Sequence, residues 1–197
     1  MHQAHLLCPG SMSIFGTTIL ALGSNRATSR SSAATELKCA LDLLNARGVV
    51  TVAQSRFYRS EPLGAVRQRP FVNAVVAVQT LEPLARLLRI IKQIERLMGR
   101  RSGVRWGPRV IDIDIISHRG QYASGQPLGW VDRRGRSTVM RRGQVTSPHP
   151  EAHRRSFVLQ PICDFMPHWH HPVYNRSAQQ LLRRLPRSRQ MRLTPVS

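Results

Sequence analysis

The chain has 197 residues, 41% of them hydrophobic, enough for one domain with a core of its own and too apolar for a disordered polymer. Its formal charge of +20 comes from 30 Lys plus Arg against 10 Asp plus Glu. That excess fits either an anionic partner or an arginine-rich solvated surface. Basic residues run along the whole chain, so the second reading is preferred, with a local functional share.

The first element in chain order is Thr17–Leu22, a short apolar run ended by Gly23-Ser24-Asn25, which predicts a buried strand entering a turn. Ala33–Arg47 places Leu37, Ala40, Leu41 and Leu44 at helical spacing, with Ser31 or Ser32 as cap and Gly48 as stop. Val49–Tyr58 predicts a strand, and Ser60–Pro70, with two prolines and a glycine, a loop. Phe71–Thr80 is the clearest strand. Glu82-Pro83 then opens a helix, with proline in its first turn and Leu84, Leu87, Leu88, Ile91, Ile94 and Met98 on its apolar face. Gly99–Arg105 is a basic loop, and Val110–Ile116 a strand of strict alternation.

From about 118 to 144 the composition turns to Gly, Arg and Ser, which predicts an insertion. Pro148–Arg155 suits a short helix, Phe157–Ile162 an edge strand and Ser177–Leu185 a last helix. The expected organisation is an unstructured extension at 1–13, a domain at 14–187 and a frayed tail at 188–197. The order β-α-β-β-α-β predicts an α+β, ferredoxin-like sandwich: a mainly antiparallel sheet with helices on one face.

Cys8, Cys39 and Cys163 are odd in number and widely spaced, which argues against a disulfide framework and a cysteine zinc site and for a reducing compartment. No run approaches the roughly 20 apolar residues of a membrane span. Met1–Gly10 lacks the basic start of a secretory signal, so a cytoplasmic location is expected. His168-Trp169-His170-His171 invites a zinc reading, but no cysteine stands at ligand spacing, and a structural role is preferred.

Asp112 and Asp114 carry the strongest chemical signal. Alternate strand residues share a face, so both carboxylates point one way, roughly 7 Å apart along the backbone. Ile111, Ile113 and Ile115 point the other way. Such a pair suits hard divalent cations, including two ions about 4 Å apart. It equally suits a solvated face salt-bridged to arginines. Arg100, Arg101, Arg105 and Arg109 just before the strand favour a triphosphate site, since arginine matches phosphate oxygens. Neither a Walker loop nor a G-x-G-x-x-G motif is present.

R-W-G-P-R-V-I-D-I-D-I at 105–115 resembles the signature of the hydroxymethyl-dihydropterin pyrophosphokinases. A-L-G-S-N at 21–25, F-Y-R-S-E-P-L-G at 57–64, F-V-N-A at 71–74, I-E-R-x-x-G-R at 94–100 and S-P-H-P at 147–150 agree in order, followed by Arg155 and Phe157. The resemblance implies transfer of the ATP diphosphate to a pterin alcohol in folate biosynthesis. It implies two magnesium ions on Asp112 and Asp114, with Arg100 and Arg109 acting at the reacting phosphates. ATP would further meet Lys92, Arg101, Ile115, His149 and Arg155. The pterin would meet Ser60, Leu63, Asn73, Glu95 and Trp106, stacked between Phe71 and Phe157. No membrane and no nucleic acid are expected as partners, and the chain is expected to be a monomer. Ser102 stands where the family has a second loop arginine, and the insertion is longer than usual. The alternatives are a basic single-stranded nucleic-acid module, or a divergent family copy that binds but turns over poorly.

Overall fold

A computed structural model describes residues 17–25, 32–62, 68–100, 109–119 and 147–196. The extension at 1–13, most of the insertion, and Leu63, Arg101, Ser102 and Trp106 lie outside the described residues.

Strand β1 (Thr18–Ser24) forms where the apolar run predicts, but Gly23 and Ser24, expected in a turn, continue it and pair with Asn73 and Val72. Helix α1 (Ala33–Asn45) starts at Ser32, whose side chain accepts the Thr35 N–H at 3.2 Å. It buries Leu37, Ala40, Leu41 and Leu44, and Gly48 takes φ +73° to end it. The single strand expected at Val49–Tyr58 is two, β2 (Val50–Gln54) and β3 (Tyr58–Ser60). Ser55 sits at the break, exchanging bonds with Val75 through its N–H at 2.9 Å and its Oγ at 3.0 Å.

Strand β4 (Phe71–Gln79) pairs with both pieces and with β1. Helix α2 (Leu84–Leu97) follows, with Pro83 at its N-cap, one place earlier than expected. Strand β5 (Asp112–Ser117) pairs with β1, and all pairings are antiparallel. The order β5-β1-β4, then β2 and β3 along the far side of β4, is ferredoxin-like.

Two expectations change in the second half. Phe157–Ile162 is no edge strand but part of helix α3 (Ser156–Phe165), preceded by a 3-10 turn at Ala152–Arg154. A hairpin, β6 (His170–His171) and β7 (Arg176–Ser177), leads to helix α4 (Ala178–Arg183), closed by a Ser177/Gln180 capping box. The tail is not frayed over 188–196: β8 (Thr194–Pro195) pairs with β3 and takes the edge place assigned to Phe157–Ile162.

Helices cover both faces of the sheet, not one. Leu20, Leu22, Ala74, Val76, Val78, Ile113 and Ile115 face the α1 and α2 side chains. Ile19, Val75, Ala77 and Ile116 face α3 and α4 through Val158, Leu159, Ile162, Ala178 and Leu181. β4 is buried on both sides. Among the described residues no helix is long and apolar enough to cross a membrane.

Candidate active site

The register lines up four residues across the sheet: Asp112 opposite Gly23, Gly23 opposite Asn73, and Asn73 opposite Tyr58. Directly opposed residues in antiparallel strands share a face. Asp114 lies on that face, while Ile113 and Ile115 enter the core on the other, as the alternation predicts. Gly23 leaves the room: a Cβ there would stand 3.3 Å from Asn73 Oδ1. Asn73, buried, donates its Nδ2 to Ser60 Oγ at 2.9 Å. Phe71 opens β4 opposite Ser60.

Each carboxylate is met by cations. Arg100 Nη1 approaches Asp112 Oδ1 at 2.6 Å, and Arg109 Nη1 pairs with Asp112 Oδ2. Arg155 Nη1 lies 3.1 Å from Asp114 Oδ2, with His149 Nε2 3.8 Å from the same oxygen. His149 is pushed below its ordinary pKa by burial, which outweighs the pull of Asp114. At 3.8 Å and neutral, His149 contributes a dipole, and Arg155 supplies the charge. The carboxylates keep part of their surface open, 24% for Asp112 and 35% for Asp114.

Beneath Arg100 lies Glu95, 2% exposed. Its Oε1 accepts from Arg100 Nη1 and, at 3.0 Å, from the Ile113 N–H on the free edge of β5. Its Oε2 accepts from Lys92 Nζ at 2.8 Å. Burial opposes the charge of Arg100, but Asp112 and Glu95 together hold its pKa above the ordinary value. Both Glu95 oxygens are thus taken up in ion pairs, to Lys92 and to Arg100.

Asp112, Asp114, Arg100, Arg109, His149 and Arg155 thus converge at one end of the sheet. Asn73, Ser60 and Phe71 adjoin them, and Phe157 stands in the first turn of α3 with the Arg155 guanidinium 5.8 Å from its ring centre. Ile115 differs: its side chain is buried on the opposite face, which leaves only its backbone for a nucleotide. Lys92 and Glu95 form the underside of Arg100.

Asn25 is the residue underrated by sequence reasoning. Its Oδ1 accepts the Arg109 N–H at 2.8 Å and its own N–H donates to the Arg109 carbonyl at 3.2 Å, clamping the start of β5 to the end of β1. Its one signal was its place in A-L-G-S-N.

Two same-face carboxylates with exposed oxygens are hard donors, and no group of three His, Cys, Asp or Glu gathers among the described residues. That set suits a magnesium ion completed by water and phosphate oxygens better than an all-protein cage. Fold and site define a ferredoxin-like α+β protein that gathers a carboxylate pair and a ring of arginines at one end of its sheet.

A family model for 7,8-dihydro-6-hydroxymethylpterin-pyrophosphokinase matches residues 19–167. A 2-amino-4-hydroxy-6-hydroxymethyldihydropteridine pyrophosphokinase of Haemophilus influenzae is 34% identical over 147 residues, 74% of this chain and 79% of that protein. One from Bacillus subtilis is 32% identical over 146 residues, 74% of this chain and 75% of that protein. A solved structure of Plasmodium falciparum HPPK-DHPS with pteroate shares the fold at TM-score 0.60 and 17% identity. The match covers 84% of this chain and 43% of that longer one. The chain belongs to the 7,8-dihydro-6-hydroxymethylpterin-pyrophosphokinase family.

Proposed function

We propose that this chain transfers the diphosphate of ATP to the hydroxymethyl group of 6-hydroxymethyl-7,8-dihydropterin. The hydroxyl oxygen attacks the β-phosphorus, the bond to the α-phosphate oxygen breaks, AMP departs and the hydroxyl proton is released. The observation that carries this reading is the transverse row, which sets Asp112 two strands from the amide of Asn73.

Asp112 and Asp114 would hold magnesium, two ions in the reading made from the sequence. Bound there, magnesium neutralises phosphate charge and orients the displaced oxygens. Arg109, Arg155 and His149 then turn from the carboxylates to phosphate oxygens, guanidinium forks suiting them well. Arg100, shared between Glu95 and Asp112, is held ready to join them. Asn73 and Ser60 read the polar edge of the pterin, and Phe71 and Phe157 stack on its faces. Most of the rate comes from positioning and preset charge. The reading calls for a monomer in the cytoplasm.

The family assignment weighs against a nucleic-acid module, and the paired carboxylates would repel a phosphodiester chain that brought no metal. The test is AMP release from ATP, magnesium and the pterin alcohol. Asp112→Ala and Asp114→Ala should each lower it at least about 100-fold with the fold intact. Full activity in both variants would remove the carboxylates from the mechanism.

A further inference from the structure

The family match ends at residue 167, yet the chain beyond α4 returns to the site. A 3-10 turn at Arg187–Arg189 redirects it, helped by Gln190 Nε2 donating to the Leu185 carbonyl at 2.7 Å. It is then fastened at two places. The Met191 N–H donates to Ser156 Oγ at 3.0 Å. Three residues on, β8 pairs with β3, with Thr194 opposite Arg59 and Pro195 opposite Tyr58, and the Val196 N–H donates to the Phe57 carbonyl at 2.8 Å.

These anchors lie on two walls of one site. Ser156, only 3% exposed, stands between Arg155 and Phe157 at the start of α3. The β3 anchor adjoins Ser60, which holds Asn73. Between anchors, the segment borders a cavity of about 600 Å³ with Tyr58, Gln160 and Leu182 on the other walls. The segment therefore grips α3 through a discrete hydrogen bond and not through close packing along its length.

We infer that residues 191–196 form a strap that sets the spacing between the α3 and β3 walls of the pterin site, with Ser156 as the positioning residue that receives it. The inference rests on the pterin assignment above. Ser156 touches no substrate in this arrangement. It acts through its neighbour Phe157 on one wall, as β8 acts through β3 on the other. The β8 anchor bears on β3, a pterin wall, while the Met191 anchor bears through Ser156 on Phe157 as well as on Arg155, so the pterin should feel both anchors and ATP only one.

Two variants test this: Ser156→Ala, which leaves the Met191 N–H without its acceptor, and a chain ending at Gln190. Losing one net hydrogen bond predicts a roughly 2- to 10-fold rise in KM for the pterin alcohol. KM for ATP and kcat should stay within about twofold, a split that general destabilisation would not produce. Amide hydrogen exchange should quicken at 156–160 and 58–60 in both variants. Should the shortened chain fail to fold, Ser156→Ala alone decides. An unchanged pterin KM, or equal rises for both substrates, would overturn the strap. Wild-type protein that released no AMP would instead sink the proposed reaction, and amide exchange would then judge the strap by itself.

Discussion

At the scale of single residues, the histidines and glycines make separable demands. His171 is 2% exposed and packed edge-on to Trp169 and His153. Its Nδ1 accepts the Val173 N–H at 3.2 Å, so the neutral ring carries its proton on Nε2, which has no partner among the described residues. A second proton would break the Val173 bond and bury a charge beside His153. Burial first, then His153, lowers its pKa to about 3. The unfolded chain, near 6.5, therefore binds more protons than the folded one. Stability is full above pH ~6.5 and is lost as pH falls toward 3, by up to ~1.4 kcal/mol per pH unit from this group. His118, His149 and His153, all lowered chiefly by burial, add in the same direction. Melting temperatures between pH 7.5 and 5 should fall, and His171→Gln should flatten the slope. An equally steep slope in that variant would clear His171 of the role. Gly23 works by absence. Gly23→Ala brings a methyl group 3.3 Å from Asn73 Oδ1, so the amide must give by a few tenths of an ångström, which strains its bond with Ser60. Pterin KM should rise several-fold, about 1 kcal/mol, with ATP KM little changed. Steady-state kinetics against each substrate reads the difference.

Among the elements, those with unambiguous periods were legible. The α1 spacing of Leu37, Ala40, Leu41 and Leu44 gave its buried face, and Ser32 and Gly48 its ends. Gly48 has φ +73° and open space around it, so Gly48→Ala should cost about 1 kcal/mol of stability without touching turnover. Chemical denaturation beside an AMP assay checks both halves. Phe157–Ile162 misled because a short apolar run carries no decisive period. Tertiary burial settles it: Val158, Leu159 and Ile162 fall on one helical face against the sheet. The β2–β3 break had no signal a single strand could show, since it depends on Ser55 reaching Val75 on another strand. β8 was illegible for a similar reason. Two residues, one a proline, form a strand only where β3 offers its edge, the place where proline is tolerated.

For the molecule as a whole, the second helical layer had a trace in the sequence. Ala74–Val78 is apolar without interruption, whereas a sheet with one wet face alternates. Site residues close to the R-W-G-P-R-V-I-D-I-D-I motif were legible as a group, because adjacency on one strand and loop is local information. The contacts of Glu95, Asn25 and Ser156 were not, because each depends on elements distant in sequence. The charge of +20 is the remaining global property, and it has a kinetic consequence. A strongly cationic surface attracts ATP, a polyanion, and leaves a neutral pterin indifferent. The screening length falls from about 14 Å near 50 mM salt to about 4 Å near 500 mM, by the inverse-square-root scaling of ~10 Å at 0.1 M. Contacts inside the site, such as Arg155 with a phosphate, are too short to be erased by that change, whereas attraction from distant arginines is largely lost. KM for ATP should therefore rise several-fold across that range, with pterin KM flat and kcat nearly so. A potassium chloride titration at saturating magnesium measures this. Parallel rises for both substrates would mean that salt acts on the fold, and a flat ATP response would leave the arginine excess with no part in substrate capture.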